Sequence, residues 1–84
     1  MDRSTLEKVL KGLSDRNIRF EDLRRLILGL GFNERVKGDH HIFTKDTIPE
    51  IINLQSLRDR KAKAYQVKQV RGIILKYKLH KGDK

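Results

Sequence analysis

The sequence predicts an α+β domain in which helices pack on one face of a three-stranded antiparallel sheet and leave the other face open, with a short extra helix at the N-terminus. Three observations carry this. Apolar residues recur at helical spacing in two windows before residue 31 and in one beyond residue 63, and alternation with turn residues takes over between them. A chain of 84 residues has room for one domain and one core. Hydrophobic and charged residues each make up 37% of it, so the core is thin and each periodic apolar side chain is needed to fill it.

Ser4 followed by Glu7 matches a capping box, and Leu6, Val9, Leu10 and Leu13 recur at helical spacing behind it. A first helix is expected from about Thr5 to Leu13, ended by the turn-forming run Ser14-Asp15-Arg16-Asn17. From Phe20 a second helix is predicted: Leu23, Leu26, Ile27 and Leu30 form one stripe, Arg24 and Arg25 point away, and Gly31 stands where a left-handed C-cap belongs. Phe32 to Lys37 alternates as a strand, Gly38-Asp39 turns, and His40 to Lys45 returns as the second strand of a hairpin.

Thr47-Ile48-Pro49 is expected to interrupt pairing, because proline cannot donate to a ladder, so the third strand is placed at Glu50 to Gln55. Ser56 to Ala64 carries Arg58, Arg60, Lys61 and Lys63 and reads as an exposed loop leading into the last helix. That helix is predicted from about Ala64 to Tyr77, with Val67, Val70, Ile74 and Tyr77 on one face, Ile73 beside them, and Lys68, Arg71 and Lys76 off it. The polar end, His80 to Lys84, is expected to fray.

Twenty Lys and Arg against eleven Asp and Glu give a formal charge of +9, which points to a polyanionic partner, nucleic acid first. A membrane-surface protein would show one basic amphipathic helix with bulky aromatics opposite, and no such helix stands out. A merely solubilising role for the lysines is the bland alternative. With no cysteine, disulfides and thiolate metal sites are ruled out. No apolar run suggests a signal peptide or a membrane span, so a cytoplasmic protein is expected.

Gly38-Asp39-His40-His41-Ile42-Phe43 is the most unusual segment, with two of the three histidines adjacent on a strand. Adjacent strand residues point to opposite faces. If Phe43 lies under the helices, His41 shares its side as a hydrogen-bonded core-edge residue, and His40 and Ile42 take the open side. Histidine, which titrates near neutrality, can remove the proton of a ribose 2′-hydroxyl so that it attacks the adjacent phosphorus. One imidazole does not also protonate the departing 5′-oxygen at the same moment; water, Asp39 or the Lys37 cation would have to assist, with His41 the further candidate for a supporting role. The bland readings are a polar surface histidine and an aspartate that only caps its turn. Two adjacent strand histidines diverge, so no metal site is expected there. Arg58, Arg60, Lys61 and Lys63, at the start of the last helix, together with Lys45, Lys68 and Arg71, form the predicted RNA-binding set.

The run Leu26 to Phe43, LILGLGFNERVKGDHHIF, resembles the HicA (YcfA-like) toxins, in which a helix ending in Gly-Phe leads into a strand, a Gly-Ser-His-His turn and an aromatic. Glu50 to Gln55 and Lys63 to Arg71 look like the closing half of one branch of that family, so that the resemblance spans residues 18–79. It implies a fold like the double-stranded-RNA-binding domain and the activity of a messenger-RNA interferase of type II toxin–antitoxin systems, working in stress responses. The implied endoribonuclease needs no metal or other cofactor. His40 matches the family's catalytic histidine on the second strand. A HicB-like antitoxin is the implied partner, with the free toxin monomeric and the complex of higher order. The chain departs from the pattern at Asp39, where the family has serine; a carboxylate there either adjusts the base or repels the phosphate and attenuates the activity. A proline-histidine element found in other branches is absent. The alternative function is a non-catalytic module that binds double-stranded RNA by shape and charge. A helix-turn-helix DNA-binding protein is disfavoured, because strands separate the second and third helices.

Overall fold

The computed structural model describes residues 3–81. The elements run α1 (Arg3–Lys11), a 3-10 turn (Asp15–Asn17), α2 (Phe20–Gly29), β1 (Asn33–Lys37), β2 (His40–Lys45), β3 (Ile48–Leu54), α3 (Ala64–Tyr77) and a closing 3-10 turn (Leu79–Lys81). The strands form one antiparallel sheet in the order β1-β2-β3. The fold is therefore α+β, compatible with the double-stranded-RNA-binding architecture and preceded by an extra helix.

Strand parity decides which face the helices cover. Phe43 on β2 and Ile52 and Leu54 on β3 point the same way and are fully buried. They meet Leu23, Leu26 and Ile27 of α2, Val67, Val70 and Ile74 of α3, and Val9 of α1 in one cluster. Truncating a buried phenylalanine such as Phe43 costs about 3–5 kcal/mol, a large part of the stability of so small a domain. Among the described residues no helix is long and apolar enough to cross a membrane.

Three boundaries differ from expectation, each for a local reason. α1 has formed by Arg3 and ends at Lys11, so Ser4 lies inside its first turn rather than ahead of it. The terminator is Gly12 at φ +71°, a left-handed conformation that glycine adopts without a Cβ penalty. Leu13 consequently leaves the apolar stripe and is 86% exposed. β3 begins at Ile48 and passes through Pro49, because Asp46-Thr47 makes the turn and β3 is an outer strand, where a missing N–H removes no ladder bond. At the C-terminus, His80 and Lys81 belong to the closing 3-10 turn, and the rest of the expected frayed tail, 82–84, lies outside the described residues.

Candidate functional site

The β1–β2 hairpin closes through Gly38, at φ +63°, and Asp39, and pairs Lys37 with His40, Val36 with His41 and Arg35 with Ile42. Parity then separates the two histidines. His41 lies on the helix side: its ring meets Phe20 edge-on at 4.9 Å between centroids, and its Nδ1 lies 2.6 Å from Glu34 Oε2. Glu34 also accepts from Arg24 Nε and Nη2, both at 2.8 Å. The Arg24 guanidinium, with help from His41 and against the cost of burial, holds the Glu34 carboxyl down at about 2. His41 thus belongs to a network beneath the sheet and cannot join His40 in one site.

His40 lies on the open face with its side chain 47% exposed. Its Nδ1 sits 3.1 Å from Asn53 Oδ1. An amide oxygen can only accept, so Nδ1 is the donor in this contact, and in the neutral ring the lone pair falls to Nε2. Nε2 is 3.8 Å from Asp39 Oδ1. The other Asp39 oxygen accepts from Gln55 Nε2 at 2.8 Å, and Gln55 Oε1 accepts from Lys63 Nζ at 3.1 Å. The hydrogen bond from Gln55 is the main reason the Asp39 carboxyl titrates below its ordinary value. A chain of contacts thus runs from the start of α3 to the imidazole: Lys63, Gln55, Asp39, His40.

The end of β3 is held in place by a buried glutamine. Gln66, in the first turn of α3 and 3% exposed, donates from Nε2 to the Asn53 carbonyl at 3.1 Å and accepts at Oε1 from the Gln55 amide at 3.5 Å. Asn53 and Gln55 are the two residues that contact His40 and Asp39, so this clamp sets where the site lies. None of Asn53, Gln55 and Gln66 was expected. The signal available for the first two was parity: in the pairing of His41 with Leu54 and Ile42 with Asn53, polar residues at 53 and 55 fall on the face of His40.

The structure sorts the predicted cations. Lys37 pairs with His40, and Lys63 reaches the site through Gln55. Arg58 and Arg60 are exposed, and Lys68 is exposed on α3. Their loop is not loose: Lys61 bridges to Arg19, its Nζ donates to Asn17 Oδ1 at 3.2 Å, and the Arg60 carbonyl accepts from the Phe20 amide at 2.9 Å. Lys45 ends β2 about 16 Å along the strand from His40, with Nζ against Gly31, so it does not join the site. Arg71 corrects the expected RNA-binding set. It donates to the Val9 carbonyl at 2.9 Å and to both Asp15 oxygens at 2.9 and 3.1 Å, and it lies so close to Gly12 that a Cβ there would approach the guanidinium to 3.3 Å. Its charge is spent joining α3 to the end of α1.

Among the described residues, no three His, Cys, Asp or Glu side chains come together as metal ligands. No protein-family model, no curated protein and no solved structure matches the chain.

Proposed function

We propose that the chain is a small endoribonuclease that cleaves messenger RNA with His40, the toxin half of a toxin–antitoxin pair whose partner is a HicB-like antitoxin. The observation that carries the reading is the placement of the His40 ring: it stands half-exposed on the open sheet face, with Nδ1 against Asn53, Nε2 directed toward the solvent-exposed Asp39 carboxylate, and Lys37 as its cross-strand neighbour. The likeness of residues 18–79 to the HicA toxins and the charge of +9 point the same way.

In this reading Nε2 takes the proton of a ribose 2′-hydroxyl, the freed oxygen attacks the neighbouring phosphorus, and the bond to the 5′-oxygen breaks as that oxygen receives a proton from solvent. The proton gained by Nε2 then faces the Asp39 carboxylate, 3.8 Å away. Lys37, whose side chain shares the face of His40, supplies positive charge where the phosphorane forms. The 75% exposed Asp39 carboxylate works against phosphate approach, and Lys63, linked to it through Gln55, counters that charge.

The test is cleavage of long single-stranded RNA by purified protein in the presence of a chelator. His40→Ala should abolish cleavage and growth arrest while RNA binding survives. Cleavage at the wild-type rate by that variant would move the chemistry elsewhere. No cleavage by the wild type, with tight binding to duplex RNA, would favour the non-catalytic module instead.

A further inference from the structure

We infer that the outer edge of β1 is a docking site for an extended acidic segment of another protein, which adds to the sheet as a fourth strand. The inference comes from how differently the two edges of the sheet are treated, and it does not depend on the ribonuclease reading.

The β3 edge is protected near both ends. Pro49 stands at the second residue of the strand, and Asn53 and Gln55, of one parity, turn their backbone groups to the same edge at and just past its far end. Pro49 has no N–H to offer to that edge. At the other end, the Gln66 carboxamide pairs with the Asn53 carbonyl and the Gln55 amide as a peptide unit of a neighbouring strand would. α3 is pinned back to this strand by Lys76 and Tyr77, which donate to Glu50 at 2.8 and 2.6 Å. Among the described residues the β1 edge has no proline, and the hydrogen bonds it receives from α2 go to the Glu34 side chain rather than to its backbone. β1 pairs with β2 in unbroken register and with no other strand, and four of its five residues are exposed. A row of backbone donors and acceptors without a strand partner is a template for another peptide strand; RNA has no such alternating ladder to offer.

The side chains select the strand. Glu34 is committed to Arg24 and His41 under the sheet, so the charges left at this edge are Arg35 and Lys37, two residues apart on the open face. Val36, 55% exposed, lies between them on the other face. A complementary strand therefore carries two acidic residues spaced by one, with an apolar residue between them.

A second copy of this chain does not fit. Antiparallel pairing across a two-fold axis perpendicular to the sheet must centre on a residue, so that side chains on one face oppose each other. Centring on Glu34 opposes Glu34 to itself, centring on Arg35 or Lys37 opposes that residue to itself, and centring on Val36 opposes Arg35 to Lys37 twice; centring on Asn33 sets the rest of β1 against residues 29–32, which precede the strand. Like charges directly opposite destabilise a pair. The basic edge thus rejects its own kind while remaining open to an acidic strand.

The experiment titrates the isotope-labelled full chain with a short acetylated and amidated peptide alternating glutamate and valine, read by NMR shifts and amide hydrogen exchange. Expected are shifts centred on Asn33 to Lys37 and on their β2 partners, with exchange in β1 slowed about tenfold or more at saturation. A peptide of the same sequence, N-methylated at two adjacent central residues so that neither of its edges can pair, should lose this protection. Arg35→Glu with Lys37→Glu should weaken binding by about tenfold or more, its fold being checked by its own amide spectrum. Equal binding of the methylated peptide, shifts confined to Arg58 to Lys63, or no protection of β1 overturns the proposal. Concentration-dependent protection of β1 without peptide would also overturn it, in favour of self-pairing.

Discussion

Replacing Glu34 with glutamine should make the domain less stable at neutral pH by an amount that disappears in acid. The carboxyl is held at about 2 instead of 4.5, first by its hydrogen bonds from Arg24 and then by His41. A displacement of that size corresponds to at most about 3 kcal/mol of folding stability. The Glu34 side chain is 11% exposed but Arg24 is 29% exposed, and screening at that partner brings the expectation to about 2 kcal/mol. Because the folded-state value is depressed, the contribution is fully present above about pH 4.5, where the unfolded carboxyl is ionised. It is lost as the pH falls toward 2. Arg24 stays charged throughout, so its raised pKa describes the same interaction and adds no second pH dependence.

The assay is urea denaturation followed by circular dichroism at a series of pH values for the wild type and Glu34→Gln. Glu50, also held at about 2 by Lys76 and Tyr77, is the same in both proteins, so the difference between them reports Glu34 together with the groups that contact it, Arg24 and His41. The gap should stand near 2 kcal/mol at pH 7 and close as the pH approaches 2. A gap that is the same at every pH would refute the electrostatic account and leave only a packing defect. Because Glu34 sits on the helix side of the sheet, the variant should match the wild type in the proposed RNA cleavage under conditions where it is folded.

Asn53→Leu removes the acceptor that keeps the proton on His40 Nδ1, so nitrogen NMR should show the ring shifting toward a mixture of tautomers and cleavage falling about tenfold or more. Asn53→Asp, which keeps an acceptor, should restore the wild-type tautomer; a tautomer change with no change in rate would remove Asn53 from the proposed mechanism. Replacing Lys61 and Lys63 together with alanine should flatten the salt dependence of RNA binding by about one to two units of slope. Arg71→Ala should instead leave that slope unchanged and cost about 2 kcal/mol of stability, because its guanidinium is bound to Asp15 and the end of α1.

The elements most legible in the sequence were those whose period is undiluted. α3 and β2 occupy the residues expected from spacing, Ala64–Tyr77 and His40–Lys45, and the turn between the first two strands falls at Gly38-Asp39. The errors share a cause, which is that periodicity says nothing about where an element sits relative to an edge or an end. Leu13 keeps the spacing of α1 but follows the glycine that stops it. Pro49 breaks a central strand but not an outer one. The face of His40 followed from Phe43 and parity alone. Its partners did not, because placing Asn53 beside it requires the register between β2 and β3, which the Asp46-Thr47 turn and the irregularity between Phe43 and Lys45 determine. Gln66 stands four residues before Val70 and seven before Ile73, so helical spacing already puts it on the buried face of α3; what the spacing does not reveal is that its partners are the backbone groups at the end of β3. Arg71 sits off the apolar stripe, and nothing local reveals that Asp15, 56 residues earlier, is its partner.

The placement of Asp39 bears on how the proposed site would divide its tasks. A carboxylate is a poor neighbour for a phosphodiester, and here it stays ionised, since Gln55 donates to one oxygen and Lys63 lies beyond Gln55. The same arrangement leaves the other oxygen directed toward Nε2 at 3.8 Å, where it opposes a charge that exists only after the 2′-hydroxyl proton has moved. An interaction stronger after proton transfer than before it speeds the chemical step without tightening the ground state. Relative to a serine at this position, Asp39 should therefore weaken substrate binding and favour the transfer, with Lys37 and Lys63 limiting the first effect. The departure from the pattern of the toxins the chain resembles is then compatible with the proposed activity, at the expense of affinity rather than of the chemical step.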